Sequence, residues 1–276
     1  MTARHLLLTA VLLMNGCSIA KSTLPPEVGS PQLTPRMSTY RDLLSLPEPR
    51  GKIIASVYNF RDQTGQYKGA PASSFSTAVT QGATAMLVGA MTDSGWFIAL
   101  EREGLQNLLT ERKIVRAAMQ KEEPEIEPED ALPSLMSANI LLEGGIVAYD
   151  SNIKTGGLGA RYFGIGASEQ YRVDQVTVNL RAVDIRTGQV LHSVLVSKSI
   201  LSKELTSGIY TFVDHKKLLE AETGMTTNEP AQLCVLAAIE SALLHLISDG
   251  VEKKLWALKN PNDMSSDILA SYSSFR

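Results

Sequence analysis

Residues 152–175 constrain the fold of this chain more than any other stretch. They contain five glycines and no proline, and they lie between two segments rich in β-branched residues. A compact soluble domain rarely inserts about twenty extended residues that have nothing to pack against. Two strands of about ten residues joined by a tight turn are the building unit of a transmembrane β-barrel, and one hairpin alone in lipid would leave backbone groups unpaired. The stretch therefore predicts a membrane hairpin at about 153–175 that needs further strands beside it.

A second hairpin is predicted at about 201–225. Apolar and polar residues alternate along an outgoing limb, 201–213, and along a return limb, 219–225, with Asp214 to Lys217 as the reversing loop. Alternation over about ten residues per limb is typical of a membrane strand, although it also fits a soluble hairpin. The residues predicted to face lipid are Leu205, Ile209, Leu219 and Ala221, and those predicted to line an acidic lumen are Glu204, Glu220 and Glu222.

The N-terminus has the pattern of a bacterial lipoprotein leader. Arg4 precedes an apolar run from Leu6 to Met14, which is too short to span a bilayer, and Cys17 follows directly. Residues 1–16 are therefore predicted to be a signal peptide, with Cys17 as the lipidated N-terminus. Ser18 after the cysteine favours sorting to the outer membrane. The alternative is an ordinary signal peptide followed by an unmodified cysteine.

The remaining chain predicts an α+β architecture. Residues 17–50 carry six prolines and little periodicity, which indicates an extended tether from the lipid to a folded domain at 51–262. A serine-rich flexible tail is expected at 263–276. The domain is expected to contain strands at 52–58, 96–100, 140–149, 176–182 and 190–196, helices at 76–93 and 105–119, and a core helix from Pro230 to Ser248 that Gly250 terminates.

The sequence shows no motif for catalysis, a metal or a cofactor. It lacks the serine-hydrolase, zinc-protease, dithiol and phosphate-loop motifs, and its glycines do not follow the dinucleotide-binding register. Cys234 lies within an apolar helix and is expected to be buried. The formal net charge of −3 gives no case for nucleic-acid binding. We therefore expect neither an enzyme nor a metalloprotein.

Four segments of the chain resemble the curli secretion channel lipoproteins. They are the glycine-rich stretch 156–167, Pro-Ala-Ser-Ser-Phe-Ser-Thr-Ala-Val at 71–79, Leu-Gln-Asn-Leu-Leu-Thr-Glu-Arg-Lys-Ile at 105–114, and Asn-Glu-Pro at 228–230. The resemblance extends from the leader to about residue 262. Matches of this length are highly specific to one family.

The resemblance implies an outer-membrane lipoprotein that is lipid-anchored and membrane-spanning, with its main α/β domain in the periplasm. About nine copies would each give two hairpins to one shared barrel of about 36 strands, the size of the largest known barrels. The implied function is ATP-independent export of unfolded curli (amyloid) subunits to the cell surface. The implied partners are further copies of the chain, the curli subunits, a periplasmic capping and specificity factor, a surface nucleator-associated factor and outer-membrane lipids.

The family also has a ring of constriction loops that carry a tyrosine, an asparagine and a phenylalanine. The matched positions in this chain are Ala70, Ser74 and Phe75, so that only the phenylalanine is retained. The resemblance therefore implies a constriction at about 70–75 whose side chains differ from those of its relatives.

Two other functions compete with export. The first is a monomeric outer-membrane lipoprotein that docks on a periplasmic enzyme and activates it, using the same kind of α/β domain without a barrel. Excising both hairpins should abolish function in a pore and leave it nearly intact in such an activator. The second is a periplasmic hydrolase, for which the sequence offers no catalytic constellation.

Overall fold

The computed structural model describes residues 33, 36–68, 76–122, 132–156, 169–206, 209–213 and 230–274. The compact folded unit spans residues 36–276. Its elements, in chain order, are α1 (Ser38–Leu44), β1 (Ile53–Ser56), β2 (Phe60–Asp62), α2 (Ala83–Asp93), β3 (Phe97–Leu100), α3 (Leu105–Glu122), β4 (Ile140–Gly156), β5 (Glu169–Asp184), β6 (Val190–Thr206), β7 (Ile209–Val213), α4 (Pro230–Glu252), a 3-10 helix (Pro261–Ser265) and α5 (Asp267–Tyr272).

The strands form one mixed sheet in the order β3-β1-β4-β5-β6-β7, and β2 also pairs with β4. The strands from the first part of the chain are parallel: β1 lies between β3 and the start of β4, and β2 runs parallel to β4 further along. From β4 onward each strand is antiparallel to the next. The predicted mixed α/β architecture is confirmed.

The core lies between α4 and the antiparallel half of the sheet. Alternate residues of β5 are fully buried, and residues on both sides of α4 are buried with them. This alternation places one face of β5 under the helix and the other toward solvent, as an antiparallel sheet permits. The predicted inward set is confirmed, and it comprises Val176, Val178, Leu180 and Ala182.

The core helix does not end at Gly250, contrary to the prediction. It continues to Glu252, and the chain turns at Lys254, whose φ is 60°. A Cβ on Gly250 would lie 1.8 Å from the Trp256 ring. The glycine is needed because the Trp256 indole packs directly on the helix backbone, where its Nε1 donates to the Ile247 carbonyl at 2.8 Å. Close packing, and not helix termination, explains this glycine.

The prediction of a tether over the whole of 17–50 is wrong for its second half. Helix α1 packs into the core, where Leu43 is fully buried. The Trp96 indole donates to the Pro47 carbonyl at 2.9 Å, and the Arg50 amide donates to the Ala257 carbonyl at 2.8 Å. A seven-residue helix is too short to show a clear period, so only its tertiary contacts reveal it.

The prediction of a flexible tail at 263–276 is also wrong for its described part. Helix α5 buries Leu269, and the Tyr272 hydroxyl donates to Asp42 Oδ2 at 2.5 Å. Burial and the Asp42 carboxylate raise the pKa of Tyr272, so its hydroxyl stays protonated. The ring of His245 meets the Tyr272 ring edge-on, with centroids 5.2 Å apart. The two ends of the folded unit therefore pack together beside α4.

Candidate functional site

The predicted constriction loop has a well-defined base. The Lys68 amide donates to the Ser76 carbonyl at 2.8 Å, and the Ala78 amide donates to the Gln66 carbonyl at 2.8 Å. An antiparallel bridge joins Tyr67 and Thr77 between these two bonds. Residues 69–75, which include Ala70, Ser74 and Phe75, lie outside the described residues. The structure therefore shows how the loop is closed at its base.

This base explains why helix α2 begins later than the sequence indicates. The predicted helix starts at Ser76, whereas α2 starts at Ala83. The backbone groups of 76–78 are used in pairing with 66–68, so they are not available for helical bonds. The segment between this pairing and α2 contains Val79, which is buried.

A short acidic turn fastens the first leg of the loop. Asp62 Oδ1 accepts from the Thr64 amide at 2.8 Å and from the Thr64 hydroxyl at 2.7 Å, as an Asx turn does. Asp62 Oδ2 accepts from Gln81 Nε2 at 3.3 Å, which ties the segment before the loop to the segment that follows it. The sequence Asp-Gln-Thr-Gly at 62–65 carries the signal for this turn, which the sequence analysis missed.

Gln63 holds the same leg against β4. Its backbone amide donates to the Ile146 carbonyl at 2.9 Å, and its side-chain Nε2 donates to the Gly144 carbonyl at 3.2 Å. A Cβ on Gly145 would lie 2.4 Å from the Arg61 carbonyl oxygen and 2.8 Å from Gln63 Nε2. Gly145 is therefore required for the close approach of the loop base to the sheet.

The second leg is fastened by Thr84 at the start of α2. Its hydroxyl accepts from the Phe60 amide at 2.9 Å and lies 3.2 Å from the Phe60 carbonyl, to which it can donate. Both residues are buried. The loop between β2 and α2 is thus held at each end by buried or sheet-edge hydrogen bonds.

The loop and the long strands leave the domain in the same direction. Strand β2 is parallel to β4, and Asp62 pairs with Ile146 where β2 ends. Strand β4 continues beyond this pair as far as Gly156. Because parallel strands run the same way, the loop base lies at the end of the domain from which β4 extends toward its hairpin.

The first predicted hairpin has long paired limbs. Strands β4 and β5 pair antiparallel as far as Gly156 and Glu169, and residues 157–168 between them lie outside the described residues. Near the end of the core, the buried Asp174 accepts from the Tyr149 hydroxyl at 2.7 Å. The pairing of 152–156 with 169–173 therefore continues past the last described buried residues of these two strands.

The second predicted hairpin has a different reversal point. The predicted outgoing limb, 201–213, is divided: β6 ends at Thr206, and β7 pairs back on it from Ile209 to Val213. The predicted reversal at 214–217 is therefore wrong, because the backbone partners of 201–206 are supplied by 209–213. Glu204 lies on β6 opposite Tyr210. Leu205 is on β6 and Ile209 begins β7, whereas Leu219, Ala221, Glu220 and Glu222 lie outside the described residues.

The structure tests the prediction for one of the two cysteines. Cys17 lies outside the described residues. Cys234 is buried on α4, as predicted, and its Sγ lies 3.1 Å from the Lys198 carbonyl oxygen. Burial raises the pKa of the Cys234 thiol to about 12, so it stays protonated and unreactive at neutral pH.

His192 and Asp249 form the one described pair that resembles part of a catalytic triad. His192 Nε2 lies 2.8 Å from Asp249 Oδ2, and its Nδ1 lies 2.9 Å from Lys253 Nζ. Both ring nitrogens are therefore engaged, which leaves the imidazole no hydroxyl nucleophile to activate. Among the described residues, no group of three or more histidine, cysteine, aspartate or glutamate side chains is arranged to hold a metal ion.

Helix α4 has the length and composition of a membrane span. Its mean hydropathy is 1.7 over the most apolar stretch, but 89% of that stretch is buried inside the molecule. Burial of this extent is typical of the core helix of a globular domain, which agrees with its packing on β5 and β6.

Comparisons with known proteins assign the sequence to one family. The family model for the curli production assembly/transport component CsgG matches residues 36–274. The curli production assembly/transport components CsgG of Salmonella typhimurium and of Escherichia coli K12 are each 54% identical over 98% of this chain and 96% of their own length. The solved C-terminal domain of LpoB from Salmonella enterica matches 58% of this chain and 92% of its own length at 12% identity, with a TM-score of 0.26. The chain belongs to the CsgG family of curli production assembly/transport components.

Proposed function

We propose that this chain is the subunit of an outer-membrane pore that exports unfolded curli subunits from the periplasm to the cell surface without ATP. Membership of the CsgG family supports a role in curli assembly and transport. The two relatives at 54% identity are named for the same role.

The observation that carries the proposal is the length of the strands. Strands β4, β5 and β6 have 17, 16 and 17 residues. At about 3.4 Å per residue, each is close to 55 Å long, whereas a membrane β-strand needs only about ten residues. One continuous strand can therefore contribute first to the domain sheet and then to a membrane wall.

A wall of this kind requires neighbouring copies. Backbone groups at an open sheet edge cannot remain unpaired in lipid, so the barrel must close. Two hairpins from each of about nine copies would close a barrel of about 36 strands. In that wall, Leu205 on β6 and Ile209 on β7 face lipid, and Glu204 lines the lumen.

The constriction lies where the domain meets the barrel. The loop base at Lys68 and Ser76 lies at the end of the domain from which β4 extends. Each copy in a ring contributes one such loop, so Ala70, Ser74 and Phe75 act as many times as there are copies. The loop is well suited to a narrow opening because its two ends are held by the sheet and by α2.

The lipid anchor and the partners complete the proposal. Cys17 carries the acyl chains, α1 connects the anchored segment to the core, and the main domain lies in the periplasm. The exported curli subunits, a periplasmic capping and specificity factor and a surface nucleator-associated factor are the partners.

The test is a shortened first hairpin. Gly156 and Glu169 are directly paired, so replacing residues 157–168 with Asn-Gly would close a tight turn without altering the domain. The full-length protein, extracted in detergent, is expected to have the mass of a large ring and to conduct ions in planar bilayers. The shortened variant is expected to fold, by circular dichroism, but not to conduct.

Two outcomes contradict the pore. A wild-type particle with the mass of one subunit, which does not conduct, would favour the monomeric enzyme activator. A shortened variant with wild-type conductance would show that the 157–168 segment is no part of the wall.

A further inference from the structure

A pocket opens on the face of the sheet that α4 does not cover. Its volume is about 240 Å³, and Gly144 forms part of its wall. The side chains around it are Tyr58, Asn59, Gln63, Glu143, Asn179 and Arg181. They come from the segment after β1, the loop base, β4 and β5, so four parts of the fold converge on one concave surface.

The charges in this pocket cancel. Arg181 Nη2 donates to Glu143 Oε2 at 2.7 Å, and Arg181 Nε donates to the same oxygen at 3.2 Å. The remaining polar side chains around the pocket are carboxamides and one phenol. A paired arginine and glutamate with neutral neighbours gives no preference for an ionic ligand.

Two carboxamide oxygens in the pocket are oriented by the fold. Gln63 Nε2 donates to the Gly144 carbonyl at 3.2 Å. Asn179 Nδ2 lies 3.2 Å from both Ser193 Oγ and the Val194 carbonyl. Because each nitrogen is held by the sheet, Gln63 Oε1 and Asn179 Oδ1 are left to accept hydrogen bonds from a ligand.

Two further polar groups line the pocket, the Tyr58 hydroxyl and the Asn59 carboxamide. In the part of the chain that the structure describes, neither the Tyr58 hydroxyl nor the Asn59 carboxamide has a hydrogen-bond partner, and Tyr58 is 51% exposed. Each can donate or accept. The pocket thus presents two oriented acceptors beside two groups of either polarity.

We propose that this pocket binds the peptide groups and primary-amide side chains of an extended polypeptide. An amide supplies N–H donors to Gln63 and Asn179 and a carbonyl acceptor to Asn59 or Tyr58, and it carries no charge. Leu195 lies opposite Asn179 in the sheet register and is 67% exposed, which offers apolar contact to the stem of a bound side chain. The inference rests on the proposed export function and names the chemistry by which the domain holds its client.

The position of the pocket gives this binding a role. Gln63 lines the pocket and also fixes the base of the constriction loop. A polypeptide held here lies at the root of that loop. Neutral hydrogen bonds in an open pocket are individually weak in water, so the client is held briefly and released.

A double variant that leaves the fold intact tests the site. Tyr58→Phe with Asn59→Ala removes the two groups that have no partner in the described structure and leaves the oriented pair in place. The probe is a fluorescein-labelled, unstructured peptide of glycine, serine, asparagine and glutamine, measured by anisotropy against the detergent-extracted full chain. Each neutral hydrogen bond lost weakens binding by about fivefold, so the double variant is expected to bind at least tenfold more weakly, as an order of magnitude.

The matched control is Asn107→Ala, which removes an exposed asparagine on α3 and should leave binding unchanged. A peptide with alanine in place of asparagine and glutamine should bind more weakly than the probe. Equal binding by the double variant and the wild type would overturn the proposal. Displacement of the probe by maltoheptaose, together with loss of the preference for amide side chains, would overturn it in favour of a saccharide site.

Conductance recorded on the same preparation separates this inference from the pore. Wild-type protein that conducts but does not bind the peptide would refute the pocket and leave the pore standing. Protein that binds the peptide but does not conduct would refute the pore and leave an amide-binding pocket.

Discussion

Thr39 on α1 donates its hydroxyl to Glu240 Oε2 on α4 at 2.5 Å, across 201 positions of sequence. Both side chains are buried. Arg36 lies between two carboxylates, with Nη1 3.7 Å from Glu240 Oε1 and Nη2 3.7 Å from Asp93 Oδ2. This cluster joins the segment that follows the proposed lipid anchor to the core helix.

Glu240 is expected to make stability decline with rising pH. Burial raises its pKa, although the Thr39 hydrogen bond and the Arg36 charge act in the opposite direction. The native state therefore keeps the proton at a pH where the unfolded state has lost it, and stability falls as pH rises from the usual glutamate pKa through the raised one. Glu240→Gln keeps an acceptor for Thr39 and should remove this decline in urea unfolding from about pH 4 to about pH 8.

Thr39→Val is a second variant that tests the same contact from the side of the donor. It leaves the Glu240 carboxylate buried without its closest donor, and it should lower the free energy of unfolding by about 1–3 kcal/mol at neutral pH. Parallel pH profiles for the wild type and Glu240→Gln would contradict the assignment.

Asp249 is expected to make stability decline as pH falls, in contrast to Glu240. Burial opposes its ionisation, but the Ser274 amide at 2.7 Å and His192 outweigh that effect and lower its pKa. The stability it contributes is complete above the usual aspartate pKa and is lost as pH falls through the lowered one. Asp249→Asn should cost about 1–3 kcal/mol at neutral pH and flatten the acid limb of the stability curve.

Hydrogen exchange locates the effect of Asp249. Because Ser274 follows α5, the Asp249→Asn variant should exchange its α5 amides faster, while the amides of β5 stay protected. Unchanged protection in α5 would show that the Asp249 contact does not hold the C-terminal segment.

The constriction loop predicts a specific order of conductances. Ala70→Tyr adds a phenol ring to each copy and should lower single-channel conductance, whereas Phe75→Ala should raise it. Gln66→Ala, at the loop base and exposed, should leave conductance unchanged. Planar-bilayer recording under one salt condition compares the three variants. If the Ala70 and Phe75 variants both match the wild type, the narrowest point lies elsewhere.

The proposed wall predicts opposite effects on its two faces. Ile209→Arg places a charge toward lipid in every copy, which costs about 2–4 kcal/mol per copy at the midplane and less near an interface, and it should hinder insertion of the ring. Neutralising Glu204 should leave assembly intact and weaken the preference of the pore for cations. Heat-resistant oligomers of Ile209→Arg, seen by electrophoresis, would count decisively against this arrangement.

The lipid anchor is tested at Cys17. Cys17→Ala should leave most of the protein in the soluble periplasmic fraction or unprocessed, because the acyl chains that hold it at the membrane are lost. Labelling with a radioactive fatty acid and membrane fractionation measure this. A variant that is still labelled and fully functional would refute the assignment.

Local patterns in the sequence determined the elements that carry a clear period. The alternation of Val176, Val178 and Leu180 predicted the buried face of β5, and the long apolar run predicted α4, because one buried face imposes a period of two on a strand and a wholly buried helix is apolar on every side. The long motifs identified the family. Each of these features is contained within a few turns or strand lengths of chain.

The tertiary structure alone decided the features that depend on distant partners. Helix α1 is fixed by Glu240, α5 by Asp42 and Asp249, and the late start of α2 by the pairing of 76–78 with 66–68. Gly250 has the local signature of a helix end, but it lies inside α4, where the Trp256 ring packs against it. In each case the local sequence allowed more than one conformation, and burial of a side chain or pairing of a backbone group far along the chain selected one of them.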